Sequence, residues 1–362
     1  MVMASKRLLL AAGGTGGHMF PAQALAEYLC AEGWEIAMIT DARGKLHAKS
    51  IPADPIREVS AATINPRKPI AAIKGVIKLA NGVNEAKSFM RGWKPNVVAG
   101  FGGYPAFPAV KAAQALKIPT VLHEQNAVLG RVNKVLAKDA HVVATGFERC
   151  DKVPAGVKVV CTGNPLRAQI MDAIPDGYAA PEKDIYLTIV GGSLGARLIS
   201  ETVPAAIALL PTEMLKRLVV VQQTRAEYLE EAKAIYELAG VRATCESFFS
   251  DIQTHLAKAH FVIGRAGASS VSEIAAMGKP SLLVPLKIAM DDHQTINALA
   301  LKDLGAADIL PESEFTAEEV KTTLLERLND STWLETASKS ARSAARPDAV
   351  PALADLVIQA AK

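Results

Sequence analysis

The sequence predicts an α/β protein with two Rossmann-like domains, each built on a doubly wound parallel sheet. Short apolar runs alternate with helical patterns along most of the chain, which is typical of βαβ units. The alternation is interrupted by a polar stretch with Pro175, Gly177 and Pro181 and then restarts, which indicates a hinge between two domains. The length of 362 residues also fits two domains of roughly 100–200 residues each.

Each predicted strand is an apolar run that ends at a turn. These runs cover residues 7–12, 35–40, 96–99, 120–123 and 141–144 in the first half, and 184–190, 217–221, 260–263 and 281–284 in the second. The first helix is expected to begin near Pro21. We expect an N-terminal domain over residues 1–163, a C-terminal domain over 164–345 and a C-terminal helix over 346–362. The sequence leaves open whether that helix packs back on the N-terminal domain.

The composition is that of a globular protein. Half of the residues are hydrophobic and 21% are charged, which excludes a disordered or fibrous chain. No apolar stretch approaches the roughly 18–20 residues of a membrane-spanning helix. Gly13 and Gly14 end the first apolar run too early for a signal peptide. Four cysteines without CxxC spacing favour a reducing cytoplasm.

The net charge of +3 is too small to predict nucleic acid as a partner. It is nevertheless the sum of two opposite charges. Residues 1–165 contain 21 Lys and Arg against 11 Asp and Glu, a net charge of +10, whereas the remainder contains 19 against 26, a net charge of −7. A basic first half suits an anionic membrane surface or an anionic ligand.

The strongest local motif is the glycine-rich segment 13–18, which reads GGTGGH between the first strand and the first helix. Glycines let the backbone approach a ligand closely, and the N–H groups of a helix start attract an anion, so we predict a diphosphate or sugar site. A dinucleotide motif starting at Gly14 would require glycine where Met19 stands, although Asp41 mimics the ribose-binding acid of such sites. A nicotinamide-dependent enzyme is therefore the weaker interpretation.

The second half contains two further small-residue loops, at residues 191–196 and 264–273. Each follows a predicted strand and precedes a helix. Facing anion-binding loops on two α/β domains predict a ligand held in an interdomain cleft. Glu273 has two possible roles, favourable charge near a helix N-terminus or acceptance of two ribose hydroxyls.

Polar side chains also follow two predicted strands, at residues 123–126 and 291–294. Four consecutive polar residues at a carboxyl edge favour a site over a solvated loop. No Asp-x-Asp pair, HExxH motif or Cys/His cluster occurs, so we predict no metal. Leaving-group charge would then be stabilised by helix ends, loop amides and Arg167.

Seven motifs in this order and spacing resemble those of the MurG family of family 28 glycosyltransferases: 13–18, 102–104, 123–126, 163–165, 191–196, 264–273, and 293–294 with 297–298. The resemblance covers nearly the whole chain. It implies a GT-B fold and no cofactor. It also implies transfer of N-acetylglucosamine from UDP-N-acetylglucosamine, with inversion, to the C4 hydroxyl of the muramyl sugar of lipid I, which yields lipid II for peptidoglycan.

The resemblance also implies roles for individual residues. On the C-terminal side, the diphosphate or sugar would be contacted by Arg167 and Ser193, a sugar hydroxyl by Gln294, the ribose by Glu273, and uracil by the backbone of Phe249. The helix start facing the diphosphate would comprise Ala268, Ser269, Ser270, Val271, Ser272 and Glu273. The N-terminal domain would complete the donor site with Thr15, Gly16, Gly17 and Asn126 and contact the acceptor with Tyr104.

The catalytic base is predicted from the chemistry of inversion, which needs a group to take the acceptor proton. His18 matches the histidine proposed in the family, and a histidine titrates near neutral pH. Glu124 is the second candidate.

A basic amphipathic segment predicts contact with an anionic membrane. Residues 67–94 contain seven Lys or Arg and one acid. Ile73 and Ile77 recur at helical spacing, and Lys74 and Lys78 directly follow them. This pattern also fits an ordinary core helix with solvated lysines. Gly75 is among the residues expected to weaken this helix. The resemblance implies a peripheral location at the cytoplasmic face of the bacterial inner membrane, where cell-wall assembly proteins are possible partners.

Two other enzyme classes remain as alternatives. UDP-N-acetylglucosamine 2-epimerases share the predicted fold and donor but need no lipid acceptor. The interpretation as a nicotinamide-dependent dehydrogenase is supported only by Gly14, Gly16 and Asp41.

Overall fold

The computed structural model describes residues 6–14, 16–62, 69–192, 195–287, 289 and 292–362. The chain divides into two compact units. The first comprises Met1–Arg167 together with Arg346–Lys362, and the second comprises Ala168–Ala345. Each unit contains one parallel sheet with helices, which confirms the predicted fold class.

The first unit contains a seven-stranded parallel sheet in the order β3-β2-β1-β4-β5-β6-β7. Its strands are β1 (Arg7–Ala11), β2 (Glu35–Thr40), β3 (Ile56–Glu58), β4 (Val97–Gly100), β5 (Thr120–Glu124), β6 (Val142–Thr145) and β7 (Val159–Cys161). The α-helices described before the second unit begins are α1 (Gly16–Ala31), α2 (Ala42–His47), α3 (Pro69–Trp93), α4 (Ala106–Ala115) and α5 (Arg131–Leu136). The strand order reverses between β1 and β4, so a crevice is expected outside their carboxyl ends.

The second unit repeats this plan with a six-stranded parallel sheet in the order β10-β9-β8-β11-β12-β13. Its strands are β8 (Ile185–Val190), β9 (Leu218–Gln223), β10 (Arg242–Glu246), β11 (Phe261–Arg265), β12 (Ser281–Val284) and β13 (Ala307–Ile309). Its described helices are α6 (Ala168–Asp172), α7 (Arg197–Ala208), α8 (Thr212–Leu215), α9 (Leu229–Leu238), α10 (Ile252–Lys258), α11 (Ala268–Met277), α12 (His293–Lys302), α13 (Ala317–Leu328) and α14 (Ser331–Ser343). Here the order reverses between β8 and β11.

The sheet of the first unit is buried on both faces, as its continuous apolar strands require. Leu8 and Leu10 of β1 belong to one core cluster, and Leu9 belongs to the cluster on the opposite face. All three side chains are fully buried. Alternate side chains of one strand therefore join two separate helix layers to the sheet.

The C-terminal helix α15 (Ala349–Ala360) packs against the first unit. Leu353 and Val357, which lie four residues apart on one face, are buried in the same cluster as Leu8 and Leu10 of β1. The chain thus returns to its first sheet after completing the second unit.

The predicted start of the first helix is wrong. Helix α1 begins at Gly16 and contains Pro21 within it. Gly16 and Gly17 adopt helical conformation, so the glycine-rich loop itself supplies the first turn. This brings the N–H groups of the helix start into the loop, where an anion would be attracted.

Helix α3 runs without interruption through Gly75 and Gly82. At Gly82 a Cβ atom would lie 1.9 Å from the backbone oxygen of Ser60, so the helix and the preceding loop approach too closely for a side chain. Glu85, one turn further, accepts hydrogen bonds from the Ser60 backbone N–H at 2.8 Å and from its hydroxyl at 3.1 Å. Glycine at position 82 therefore lets α3 pack directly against the Ser60 backbone.

Candidate active site

A cavity of about 220 Å³ opens at the carboxyl ends of the first four strands of the first unit. It lies where the strand order reverses, the usual place for a ligand in an open parallel sheet. Its lining residues follow β1, β2, β3 and β4 in turn: Gly13, Gly14, His18, Asp41, Arg43, Ala61, Ala62, Gly103, Tyr104 and Pro105. The structure thus brings together two predicted site residues, His18 and Tyr104.

Two glycines form the wall next to the His18 ring. Gly102 and Gly103 have φ values of +81° and +71°, a region that other residues rarely adopt. A Cβ atom on Gly102 would lie 3.6 Å from His18 Nε2, and one on Gly103 would lie 3.5 Å from His18 Cε1. The loop after β4 therefore lies close against the imidazole.

Asp41 and Arg43 add opposite charges to the same cavity. The Asp41 carboxylate caps α2 by accepting a hydrogen bond from the Gly44 N–H at 2.9 Å. Its other oxygen lies 3.7 Å from Nε of Arg43, whose side chain is largely exposed. The sequence singled out Asp41 only as a mimic of a ribose-binding acid, and it did not point to Arg43. Their positions directly after β2 were the available signal.

Glu124 is a buried carboxylate with four hydrogen bonds. Oε1 accepts from the backbone N–H and side-chain amide of Asn126, both at 3.1 Å. Oε2 accepts from the Gly130 N–H and the Asn133 side chain, both at 2.9 Å. The side chain therefore organises the loop after β5, and Asn126 lies beside it.

His123 precedes this carboxylate and is fully buried. Its Nε2 lies 3.1 Å from the Gly163 carbonyl, and its Nδ1 lies 3.1 Å from the Gln125 side-chain amide. A carbonyl only accepts, so Nε2 carries the proton and Nδ1 is the acceptor. Burial lowers the pKa of His123 to about 4, although the bond to Gly163 opposes this shift. The imidazole is therefore neutral at physiological pH and structural in role.

Arg167 stacks on an aromatic ring of α1. Its guanidinium carbon lies 4.4 Å from the centre of the Phe20 ring. Phe20 also contacts the glycine-rich loop, because a Cβ atom on Gly16 would lie 2.9 Å from that ring. Gly17 is exposed at the start of the same helix. A cation predicted to meet a diphosphate is thus held next to the first glycine-rich loop.

The second unit places its small-residue loops at its own reversal of strand order. Gly191 follows β8, and Ala268 opens α11 directly after β11. Gly192 has a φ of +80°, and a Cβ atom on Gly191 would lie 2.4 Å from the Ala196 backbone nitrogen. The turn is therefore too tight for a side chain, and its backbone amides together with the start of α11 suit an anion.

The first turns of α11 contain the predicted ribose acceptor. Gly267 is the N-cap residue, and the predicted helix-start residues Ala268, Ser269, Ser270, Val271 and Ser272 follow it, ending at Glu273. The Ser269 hydroxyl donates to Glu273 Oε1 at 3.0 Å. The carboxylate is half-buried and is turned toward the N-terminal end of its own helix.

Gln294 supports the loop that follows β12. Its Oε1 accepts a hydrogen bond from the Leu286 N–H at 3.0 Å. Glu312 continues this support, since it accepts from the Lys287 N–H at 3.1 Å and forms an ion pair of 2.6 Å with Arg265. Because Oε1 already accepts this hydrogen bond, Gln294 would contact a sugar hydroxyl through its side-chain N–H groups.

Phe249 is buried and contacts His255 of α10 in an edge-on arrangement, with ring centres 5.2 Å apart. This holds the segment before α10, where the backbone is predicted to bind a base. Two predicted donor-site residues, Thr15 and Ser193, lie outside the described residues. Within the described part of the chain, no group of three or more His, Cys, Asp or Glu residues could hold a metal ion.

Residues 67–68 of the predicted membrane segment lie outside the described residues, and the described part forms an exposed apolar stripe on α3. Ile73 and Ile77 are 62% and 56% exposed, and Val76 between them is 53% exposed. Lys74 and Lys78 are exposed on the same turns. No helix in the described ranges is long and apolar enough to cross a membrane.

Comparison with known proteins finds two family domains along the chain. The glycosyltransferase family 28 N-terminal domain matches residues 8–145, and the family 28 C-terminal domain matches residues 186–353. With two Rossmann-like sheets, these matches define the class as a GT-B glycosyltransferase. The chain belongs to glycosyltransferase family 28 and, within it, to the MurG family.

Named relatives match over almost the full length. The UDP-N-acetylglucosamine–N-acetylmuramyl-(pentapeptide) pyrophosphoryl-undecaprenol N-acetylglucosamine transferase of Maricaulis maris is 49% identical over 98% of both chains. The transferase of the same name from Caulobacter vibrioides is 46% identical over 99% of this chain and 100% of the relative. The crystal structure of MurG from Acinetobacter baumannii is 34% identical over 98% of this chain and 99% of the other, with a TM-score of 0.79. A putative UDP-N-acetylglucosamine 2-epimerase from Listeria monocytogenes, at 17% identity and a TM-score of 0.65, shares the fold alone; it covers 96% of this chain and 94% of its own.

Proposed function

We propose that this chain is an inverting glycosyltransferase that moves N-acetylglucosamine from UDP-N-acetylglucosamine to the C4 hydroxyl of the muramyl sugar of lipid I. The product is lipid II, the precursor of peptidoglycan. The observation that carries this function is the 49% identity with a transferase of that name over 98% of both chains. Cell-wall synthesis, and through it cell shape and division, is the process that the enzyme serves.

The second unit binds the donor. Its loop at Gly191 and the start of α11 present backbone N–H groups suited to a diphosphate. Glu273 accepts the ribose hydroxyls, Gln294 contacts the sugar, and the backbone at Phe249 reads uracil. The positions of four residues support these roles. Each of them lies after a strand of the second unit's sheet or in the helix that follows that strand: Gly191, Phe249, Glu273 and Gln294.

The first unit binds the acceptor in the cavity beside His18. Tyr104 lines this cavity, and Arg43 supplies a cation for the acceptor's anionic groups. The net charge of +10 on residues 1–165 supports binding of a diphosphate-linked lipid on this side.

His18 acts as the general base. In a single displacement, the base takes the proton of the C4 hydroxyl while that oxygen attacks the anomeric carbon and the bond to UDP breaks with inversion. His18 lines an open cavity, whereas both oxygens of Glu124 already accept hydrogen bonds from its own loop. The geometry thus favours His18 over Glu124.

The leaving UDP carries the charge that develops in the transition state. The family resemblance implies that helix N–H groups at the start of α11 and the cation of Arg167 stabilise such charge. Phe20 holds the Arg167 guanidinium by stacking, which limits the rotamers that the side chain must give up when it meets an anion.

In this proposal the enzyme is a peripheral protein on the cytoplasmic face of the bacterial inner membrane, and the exposed stripe of α3 supports that location. Ile73 and Ile77 enter the headgroup region, and Lys74 and Lys78 meet anionic lipid. Each lysine near an anionic surface contributes about 1 kcal/mol.

The decisive experiment incubates the chain with UDP-N-acetylglucosamine labelled in the sugar and a short-chain lipid I analogue. We expect label in the lipid product, with a β-1,4 linkage on analysis. Unlabelled lipid would overturn the proposed function. Conversion of the donor to its N-acetylmannosamine epimer without acceptor would favour an epimerase instead.

A further inference from the structure

Gln223, the last residue of β9, bridges two loops of the second unit. Its Oε1 accepts a hydrogen bond from the backbone N–H of Gly191 at 3.2 Å. Its Nε2 donates to the backbone oxygen of Ser247 at 3.4 Å. One carboxamide therefore acts as acceptor for one loop and donor for the other, a combination that neither a carboxylate nor an apolar side chain offers.

The two bridged loops have different partners in the proposed donor site. Gly191 begins the tight glycine turn after β8, which suits the diphosphate. Ser247 lies two residues before Phe249, at whose backbone uracil is expected to bind. The distance between these loops must match the span of a nucleoside diphosphate.

The neighbouring residue on the same strand has a separate role. The side chain of Gln222 is fully buried and accepts a hydrogen bond from the hydroxyl of Tyr236 of α9. Successive side chains of a strand point to opposite faces, so Gln222 anchors the core while half-buried Gln223 faces the loops. Of these two adjacent glutamines, Gln223 connects the two loops and Gln222 contacts the core.

We propose that Gln223 is a positioning residue that sets the spacing between the diphosphate loop and the uracil loop. This inference rests on the proposed function, because it assumes that UDP spans both loops. A ligand that occupies only one loop does not depend on the bridge. A ligand that occupies both gains affinity from loops already held at the correct spacing.

The test replaces Gln223 with methionine, which keeps the length of the side chain and removes both hydrogen bonds. Calorimetry then measures binding of UDP and of uridine to each variant. We expect the Kd for UDP to rise about 5- to 30-fold, the effect of losing one or two hydrogen bonds. The Kd for uridine should stay unchanged. The KM for UDP-N-acetylglucosamine should rise by the same factor as the Kd for UDP, with kcat retained.

Gln222→Met is the matched control, since it disturbs the same strand end through the core. We expect a lower thermal midpoint for this variant and an unchanged ratio of the two Kd values. The inference is overturned if Gln223→Met binds UDP normally, loses UDP and uridine affinity equally, or matches the control. Failure of the unmodified chain to bind UDP would overturn the proposed function and this inference together.

Discussion

The side-chain amide of Asn133 donates a hydrogen bond to Glu124 Oε2 at 2.9 Å, although the two residues lie on different elements. The backbone N–H of Gly130 donates to the same oxygen at the same distance. Glu124 is 4% exposed, so these bonds replace those that water would make. The carboxylate therefore joins the end of β5 to the start of α5.

We therefore expect substitution of Glu124 to lower stability and substitution of His18 to lower catalytic activity. Glu124→Gln should lower the thermal midpoint, because a neutral amide cannot accept four hydrogen bonds, while the folded variant keeps its pH–rate profile. His18→Ala should lower kcat by roughly 10²–10⁴-fold with donor binding retained. Steady-state kinetics across pH and calorimetry with UDP would measure both. Near-normal kcat in His18→Ala would remove that residue from the role.

The exposed stripe of α3 predicts binding to anionic lipid. Lys74→Glu with Lys78→Glu should abolish sedimentation with vesicles rich in phosphatidylglycerol at low salt, since two attractive charges become repulsive. Exposed lysines of the second unit provide the control, as Lys183→Glu with Lys339→Glu makes the same charge change elsewhere. Equal loss of binding in both double variants would reject a specific patch.

The buried strands could be predicted from the sequence, whereas the edge strands could not. β2 and β12 were predicted with their observed limits, and the other predicted strands differ from the structure by one or two residues at one or both ends. The missed strands β3, β7, β10 and β13 are the edge strands of the two sheets. Their exposed and polar residues, as in β10, give no apolar run to recognise.

The parts of the site that are formed by consecutive residues could be predicted from the sequence. The parts that are formed by contacts between residues far apart in the sequence could not. The glycine loops follow strands directly, so their place at the sheet edge was implied by the sequence. The bridge of Gln223 to Gly191 and Ser247 joins segments that are 32 and 24 residues away. No spacing rule connects such residues, and only the packing of β8, β9 and β10 side by side brings them together.

Two glycines of α3 offer a matched pair of substitutions. Gly82→Ala should destabilise the chain by about 1–3 kcal/mol, because the added Cβ would lie 1.9 Å from the Ser60 oxygen. Gly92→Ala in the same helix meets nothing within 4 Å and should stabilise it by about 0.5–1 kcal/mol. Denaturant unfolding measures both values. Equal effects of the two substitutions would contradict the close approach of this helix to Ser60.

The neutral, buried imidazole of His123 predicts a loss of stability in acid. Burial lowers its folded-state pKa to about 4, while the unfolded chain binds the proton near pH 6.5. The stabilising contribution is therefore complete above about pH 6.5 and falls by about 1.4 kcal/mol per pH unit between about 6.5 and 4. His123→Gln keeps a donor for the Gly163 carbonyl and an acceptor for Gln125 but does not titrate. Urea unfolding at pH 7.5 and 5.0 should show a smaller difference for this variant than for the unmodified chain, and parallel losses in the two proteins would assign the acid sensitivity to other groups.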